Sequence, residues 1–200
     1  TLLSTTSTYT VTNSPLKKTN AGEYKVNVTP TANYKWSDGT TTAKEVTCTI
    51  NQKELDQSKF TTGSTSKTYN GNTNSSITLT ANATSGLISG DTVNVTYTSA
   101  AYNNANVASA NSISVTGITL SNSNYKVKNT SQSYSGTITR ANVAFPTCTA
   151  KTYNKSEQTL FDAHTSGSYT NSVLKATNAG TYTVALTPSA NHKWTDNSGT

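Results

Sequence analysis

The sequence predicts an all-β protein built of tandem β-sandwich domains, and three observations lead to that fold class. Thr, Val, Ile and Tyr are abundant, whereas the runs of Ala, Leu, Glu and Lys that would build helices are missing. Apolar and polar residues alternate over short stretches separated by turn signals, a pattern typical of sandwich strands. One stretch of the chain occurs twice, and such self-similarity indicates a repeat array.

The composition argues against several other classes of protein. The 200 residues are 12% charged and 32% hydrophobic, and no apolar run approaches the roughly 18 residues that a membrane span needs. The net charge of +6 is scattered, with Lys17-Lys18 the densest pair, whereas a nucleic-acid site would cluster its cations. We therefore expect neither nucleic-acid binding nor membrane insertion in this segment, and weak attraction to anionic wall polymers stays open.

The repeated stretch is residues 19–38, TNAGEYKVNVTPTANYKWSD, which return at residues 177–196 as TNAGTYTVALTPSANHKWTD. Aligned residues lie 158 positions apart. The whole match joins residues 1–40 to residues 159–200, and the second copy carries two extra residues, Asn197-Ser198, near its end. The last part of the chain therefore restarts the first part.

Strand signals are clear in the first 50 residues. A turn signal at residues 20–22 precedes residues 24–30, where Tyr and Val alternate with polar residues up to a proline. Tyr34 and Trp36 alternate again, which would place both rings on one face of the chain before a turn at Ser37-Asp38-Gly39. Residues 43–50 form the next predicted strand.

Residues 51–140 carry their own series of strands after a polar connector. The apolar positions that mark them are Ile77 and Leu79; Val93, Val95 and Tyr97; Ile113 and Val115; Ile118 and Leu120; and Tyr134 to Ile138, with a turn at Gly90-Asp91. Beyond them, Val143 and Phe145 begin a strand that we predict to reach Cys148. No segment shows a helical period of useful length.

The segment lengths predict a domain organisation. We expect residues 1–50 to be the C-terminal part of one repeat, residues 51–140 a complete domain of a second type, and residues 141–200 the N-terminal part of the next repeat of the first type. Adding residues 41–50 to the last segment gives 70 residues. Together with the 90 residues of the middle domain this makes 160, which equals the 158-residue period plus the two-residue insertion. We therefore expect neighbouring repeats to complete each partial domain, along one chain or between subunits, because half-sandwiches leave strand edges unpaired.

Several motifs resemble known families. KTYNG at 67–71, SGDTV at 89–93, SVTGITL at 114–120 and NYKV at 124–127 resemble the YDG/MBG family of bacterial surface repeats, with Asn70 where that family usually has Asp. Residues 20–50 and 178–200 resemble the Ig-like repeats of Firmicutes surface proteins, which carry a Tyr-x-Trp-x-Asp-Gly-Thr segment. The resemblance implies Ig-like β-sandwich domains in an alternating two-domain array, a stalk in a large exported adhesin or fibre, and no catalytic residues.

The residues themselves give no sign of an enzyme. The two histidines, His164 and His192, have no neighbour at the spacing of a metal site, and His192 replaces Tyr34 of the other copy. Ser-Gly-Asp at 89–91 is better explained as a turn than as a nucleophile site. We expect no catalytic residues, no metal and no cofactor.

Tyr34, Trp36 and Trp194 are the candidates for a glycan platform, because flat aromatic rings can stack on sugars. The alternative, which we favour, is that these rings are core residues, as a buried Trp is in sandwich domains.

The two cysteines belong to the repeated unit. Cys48 lies in its predicted closing strand and Cys148 in its predicted opening strand, and a complete unit would hold both 60 residues apart. We predict that each pairs with the equivalent of the other in an adjacent repeat, so that the partner of Cys148 is the counterpart of Cys48 that comes 60 residues later. We also predict that Cys48 and Cys148 of this chain do not pair with each other. Two unpaired buried thiols are the alternative.

Two functions are consistent with these sequence features. The first is a structural repeat of an extracellular protein on the bacterial cell surface, forming an elongated stalk or filament that supports adhesion or assembly, with neighbouring repeats as partners. The second is a glycan-binding adhesin module that uses exposed aromatic residues, with host glycans or wall polymers as partners.

Overall fold

The computed structural model describes residues 1–165 and 167–195, and within them the chain forms twenty short strands and two single-turn 3-10 helices. The 3-10 helices span Gln57–Lys59 and Ala83–Ser85. The strands are β1 (Tyr9–Val11), β2 (Gly22–Pro30), β3 (Lys44–Ile50), β4 (Lys53–Leu55), β5 (Thr61–Thr62), β6 (Ser66–Thr68), β7 (Leu79–Thr80), β8 (Val95–Thr96), β9 (Ser99–Tyr102), β10 (Ser112–Thr116), β11 (Thr119–Leu120), β12 (Tyr125–Val127), β13 (Ser131–Ser135), β14 (Thr137–Thr139), β15 (Ala141–Val143), β16 (Gln158–Phe161), β17 (Tyr169–Thr170), β18 (Leu174–Ala176), β19 (Thr187–Pro188) and β20 (His192–Trp194).

The all-β class is confirmed, and the sheets are small, with two or three strands each. The chain packs into two compact units, each assembled from separate stretches. The first unit comprises Thr1–Thr61, Leu79–Thr98 and Gly117–Gln132, and the second comprises Thr62–Thr78, Ser99–Thr116 and Ser133–Thr200.

The first unit contains the longest strand pair, β2 with β3. The pair is antiparallel and runs in register from Gly22 opposite Ile50 to Val28 opposite Lys44. Strand β1 pairs along the other edge of β2, so Val28 is covered and only 3% exposed. The alternation of residues 24–30 and the β-branched residues of 43–50 thus produce the two strands predicted there.

The rest of the first unit holds its apolar core. Strands β4 and β12 pair in parallel, and β8 pairs with β11 in the antiparallel sense. Leu55 and Ile118 are fully buried, and Tyr125 is 3% exposed. The hydroxyl of Tyr125 donates to the carboxylate of Asp91 and accepts from the backbone N–H of Ile88, which ties the predicted Gly90-Asp91 turn to the core.

In the second unit, β9 and β10 form an antiparallel pair, and β6 and β14 form a parallel one. Ile113 and Val115 of β10 are fully buried. Gly136 lies against this pair so closely that a Cβ there would come within 2.5 Å of the Ile113 side chain. The absence of a side chain at residue 136 therefore lets the backbone pack directly on the core.

The last part of the second unit contains three further pairs: β15 with β20, β16 with β18, and β17 with β19. The strand predicted to run from Val143 to Cys148 ends at Val143, and residues 144–150 are not in a strand. Pro146 has no N–H to donate to a ladder, which disfavours pairing through this stretch.

Burial is unequal along the chain. Among the described residues, twelve of the sixteen buried hydrophobic side chains lie within residues 51–140. Of the seven large hydrophobic residues that stay exposed in the described part of the chain, six lie outside that range, and the exception is Ile88. The apolar surface of residues 51–140 is thus covered far better than that of the flanking segments.

Candidate functional site

The two copies of the repeated stretch begin with the same local structure. In the first copy the hydroxyl of Tyr24 donates to the carbonyl of Asn20 at 2.8 Å, and in the second the hydroxyl of Tyr182 donates to the carbonyl of Asn178 at 2.9 Å. Each ring folds back over the glycine of the Asn-Ala-Gly turn. The tyrosine-to-asparagine hydrogen bond is therefore common to both copies, and in the first copy Asn124 adds to it by accepting from the backbone N–H of Ala21 at 2.7 Å.

The copies differ after the turn. Residues after Gly22 form β2 and pair with β3, whereas residues 181–186 are not in a strand. Tyr24 is half-buried, but Tyr182 is 41% exposed. The sequence corresponding to β3 comes after the first copy and has no counterpart after the second within these 200 residues. An extended segment needs a neighbour for its backbone groups, so we attribute the difference to the missing strand partner.

For the tryptophans the order is reversed, because here the second copy forms a strand and the first copy does not. In the second copy, β20 pairs in parallel with β15, and Trp194 is 4% exposed. Its ring packs against Phe145 and Tyr169 at centroid distances of 5.0 and 5.5 Å. In the first copy the corresponding residues 34–36 are not in a strand, so the predicted alternation does not form there.

Trp36 is held by a local turn instead of by a strand. Its indole Nε1–H donates to the carbonyl of Thr42 at 2.8 Å, and the Lys44 ammonium lies 5.7 Å from the ring centroid. Trp36 is half-buried, and the neighbouring Tyr34 is 48% exposed. Of the three candidate platform residues, Trp194 packs as a core residue and Tyr34 presents its ring to solvent.

The predicted turn at Ser37-Asp38-Gly39 forms, with the backbone N–H of Gly39 donating to the carbonyl of Trp36. The Asp38 carboxylate accepts from the Lys44 ammonium and from both the backbone N–H and the hydroxyl of Thr40. These bonds, that of Lys44 foremost, hold the pKa of Asp38 well below its ordinary value. The equivalent Asp196 lies outside the described residues.

An open groove lies beside the second copy, and we call it the acceptor groove. Among its lining residues are Cys148, Tyr153, Leu160, Leu174, Ala176 and Tyr182. Its volume is about 380 Å³. Strands β16 and β18 contribute its apolar side chains, and Tyr153 at its edge is 54% exposed. The groove therefore combines uncovered apolar side chains with the segment that has no strand partner.

Both thiols are free in the structure. Cys48 is half-buried in β3, directly opposite Tyr24 of β2. Cys148 is exposed and lines the acceptor groove. Pairing of each thiol with the equivalent of the other cysteine in an adjacent repeat stays a prediction.

The two histidines take part in ring packing. His164 stacks on Tyr169 at a centroid distance of 4.1 Å, and His192 meets Tyr69 edge-on at 5.2 Å. His192 Nδ1 also shares a hydrogen bond of 2.7 Å with the hydroxyl of Ser189. These contacts are those of structural side chains.

One constellation was not predicted from the sequence, the oxygen cradle around Lys67. The ammonium of Lys67 donates to Asn70 Oδ1, to the carbonyl and Oδ1 of Asn72, and to the carbonyl of Asn74, at 2.7 to 3.0 Å. It also lies 5.3 Å from the centroid of the Tyr102 ring. The signal in the sequence is a lysine three residues before a run of Asn at every second position.

Within residues 1–165 and 167–195, no group of three or more His, Cys, Asp or Glu side chains is placed to hold a metal ion. Across the same residues, none of the helices has the length and apolarity that crossing a membrane would take.

Comparison with known proteins supports one of the two resemblances. The model of the YDG domain family matches residues 51–134. Neither the curated proteins nor the solved structures include a match to this chain. Residues 51–134 are therefore similar to the YDG domain, and the Ig-like character of the flanking segments rests on their motifs alone.

Proposed function

We propose that this chain is a structural segment of an extracellular bacterial surface protein, in which YDG-like domains alternate with Ig-like sandwich domains in an elongated stalk or filament. Its partners are neighbouring repeats of the same protein, and the stalk supports adhesion or assembly. The segment has no catalytic role in this proposal.

The proposal is supported above all by one observation: in the part of the chain that the structure describes, each copy lacks a strand that the other copy has. Among the described residues, the first copy has β3 but nothing equivalent to β15, and its Tyr34 is exposed. Over the same part of the chain, the second copy has β15 but nothing equivalent to β3, and its Tyr182 is exposed. One complete domain containing both strands would cover both rings, and a repeat array supplies such a domain.

The distribution of the core supports the same organisation. Residues 51–140 hold most of the buried hydrophobic side chains, and the YDG family model falls within this range. The exposed apolar residues are concentrated in the segments that we assign to two incomplete repeats. Uncovered apolar surface marks an interaction site, and here the interaction is with the rest of the repeat.

Small-angle scattering from chains of one, two and three periods tests this function. In an array each domain contacts only its neighbours, so the maximum dimension should grow by a constant increment with each added period. Size-exclusion chromatography with mass determination provides the control for self-association. Compaction of the longer chains into globules would overturn the proposal.

A glycan-binding module is the second candidate, and the exposure of Tyr34 is the observation that favours it. The Trp36 ring is half-buried and has the Lys44 ammonium 5.7 Å from its centroid, so the exposed Tyr34 is the better stacking residue in this copy. A glycan array probed with the wild type, Tyr34→Ala and the matched variant Tyr153→Ala would decide. Loss of a signal in Tyr34→Ala alone supports this candidate, and equal signals in all three chains argue against it.

A further inference from the structure

We propose that the acceptor groove is the docking site for a β-strand with the sequence of residues 41–50, TTAKEVTCTI, supplied by another copy of the repeat, and that docking brings Cys48 of that strand to Cys148. This inference rests on the proposed function, because it names the surface through which one repeat completes another.

The first copy shows how the strand would bind. There β3 runs antiparallel to β2, with Ile50, Cys48 and Val46 opposite Gly22, Tyr24 and Val26. The second copy has the same three residue types at the aligned positions, Gly180, Tyr182 and Val184. An incoming strand in the same register would therefore place Cys48 opposite Tyr182 and Val46 opposite Val184.

The groove supplies the surface that such a strand covers. Residues 181–186 align with β2 in sequence but are not in a strand, and apolar Leu160, Leu174 and Ala176 line the groove. Adding a strand satisfies backbone groups along an open edge, while alternate side chains enter the apolar surface.

The position of Cys148 adds a second, independent argument. Cys148 and Tyr182 line the same groove, and Cys48 is the residue that faces the equivalent tyrosine in the first copy. A docked strand whose Cys48 lies opposite Tyr182 therefore brings its thiol into the groove that Cys148 lines. The repeat in the sequence assigns both cysteines to one unit independently of the strand pairing and of the groove.

The covalent step needs an oxidant, and a small-molecule disulfide such as oxidised glutathione supplies it. The Cys148 thiolate attacks oxidised glutathione, forming a mixed disulfide and releasing one glutathione thiolate. The Cys48 thiolate of the docked strand then attacks the Cys148 sulfur and releases the second glutathione. Two protein thiols lose two protons and two electrons in total, and one glutathione disulfide is reduced to two thiols.

The test uses the full chain carrying Cys48→Ser, so that Cys148 is its sole thiol, and a synthetic peptide of residues 41–50. In a glutathione redox buffer, mass spectrometry measures the mixed disulfide between peptide and protein. A peptide of the same composition in scrambled order, with its cysteine kept at the same position, is the control. We expect capture to favour the native order by at least about tenfold, which corresponds to about 1.4 kcal/mol of docking free energy.

A second measurement separates docking from thiol chemistry. The same peptide with serine in place of cysteine is added to the wild-type chain, and hydrogen exchange is followed at residues 181–186. Slower exchange with the native order alone is expected. Equal capture of both peptides and unchanged exchange would overturn the proposal, and slower exchange without preferential capture would overturn its thiol half. Neither result decides the proposed function, because an elongated array does not require this groove and the scattering experiment tests elongation by itself.

Discussion

Lys67 shows how much one polar side chain can organise in a chain so poor in charge. Its ammonium donates to four oxygens of the loop formed by Asn70, Asn72 and Asn74, a number that exceeds its three protons, so at least one bond is shared. Hydrogen bonds with a charged partner contribute more to stability than neutral ones. The lysine therefore acts as an internal cation that shapes the loop.

We expect Lys67→Met to lower the free energy of unfolding by about 2 kcal/mol, the range for losing hydrogen bonds to a charged group. Guanidinium unfolding followed by circular dichroism measures the change. The matched control is Lys35→Met, because Lys35 is exposed and its side chain has no hydrogen bond, ion pair or ring contact in the described part of the chain. Equal effects of the two substitutions would show that the cradle contributes nothing.

Gly117 in the SVTGITL motif combines two constraints. Its φ of +69° disfavours a side chain, and a Cβ there would lie 2.3 Å from the hydroxyl oxygen of Thr98. Gly90 has a φ of +92° but open space around it. We expect Gly117→Ala to destabilise the protein by about 1–3 kcal/mol more than Gly90→Ala, because only the former overpacks a neighbour. Thermal unfolding of the two variants measures the difference, and equal losses would contradict this account.

The depressed pKa of Asp38 makes the stability of the folded state depend on pH. Its folded pKa is depressed, chiefly by the hydrogen bond from Lys44, so its contribution to stability is present above the ordinary carboxyl pKa of about 4 and is lost as the pH falls below it. We expect the stability difference between wild type and Asp38→Asn to be largest at neutral pH and to shrink in acid. Denaturant midpoints measured from neutral to acidic pH test this.

Asp162→Asn is the matched control for Asp38, since the Asp162 carboxylate has no hydrogen bond or ion pair among residues 1–165 and 167–195. A difference between wild type and Asp38→Asn that stays constant with pH would contradict the assigned role of the carboxylate.

At the scale of elements, the repeated stretch shows that similar local signals give different secondary structure when the pairing partner differs. Gly22 to Val28 pair with β3 as part of β2, while residues 181–186 do not form a strand. Residues 192–194 form a strand against β15, while residues 34–36 do not. Strand formation here depends on non-local pairing more than on propensity.

The two tryptophans differ in burial within one chain. We expect Trp194→Ala to cost about 3–5 kcal/mol, as for a core tryptophan, and Trp36→Ala clearly less, because Trp194 is 4% exposed and Trp36 is half-buried on a turn. Equilibrium unfolding measures both losses. Acrylamide quenching of the single-tryptophan chains Trp36→Phe and Trp194→Phe is the second readout, and stronger quenching of Trp194 than of Trp36 would contradict the structure.

Local chemistry made part of this fold predictable from the sequence. The strands with strong alternation, such as residues 24–30, and the turns at Gly39 and Gly90 form as expected. The predicted strand through Cys148 and the predicted alternation of Tyr34 and Trp36 did not form, because each needs a neighbouring strand to pair with and no local pattern reveals one. The Lys67 cradle was not predicted, because its acceptors are amide and carbonyl oxygens and the sequence shows no oppositely charged residue that would indicate an ion pair.

At the scale of the whole molecule, burial separates one well-covered stretch from two poorly covered ones. Residues 51–140 contain the fully buried side chains Leu55, Ile113, Val115 and Ile118. The flanking segments keep large apolar residues exposed, among them Phe145, Tyr153 and Tyr182. A thin domain has little stability to spare, so covering this surface matters for folding. Our central claim is that the flanks are two overlapping parts of one repeated domain.

Hydrogen exchange on a one-period chain tests that claim most directly. The chain consists of residues 51–200 followed by residues 41–50, so that the counterparts of β15 and β3 belong to the same domain. We predict that amides of residues 181–186 exchange at least about tenfold more slowly than in the present chain, as expected when an open segment gains a strand partner. Exchange at these amides as fast as in the present chain would contradict the claim.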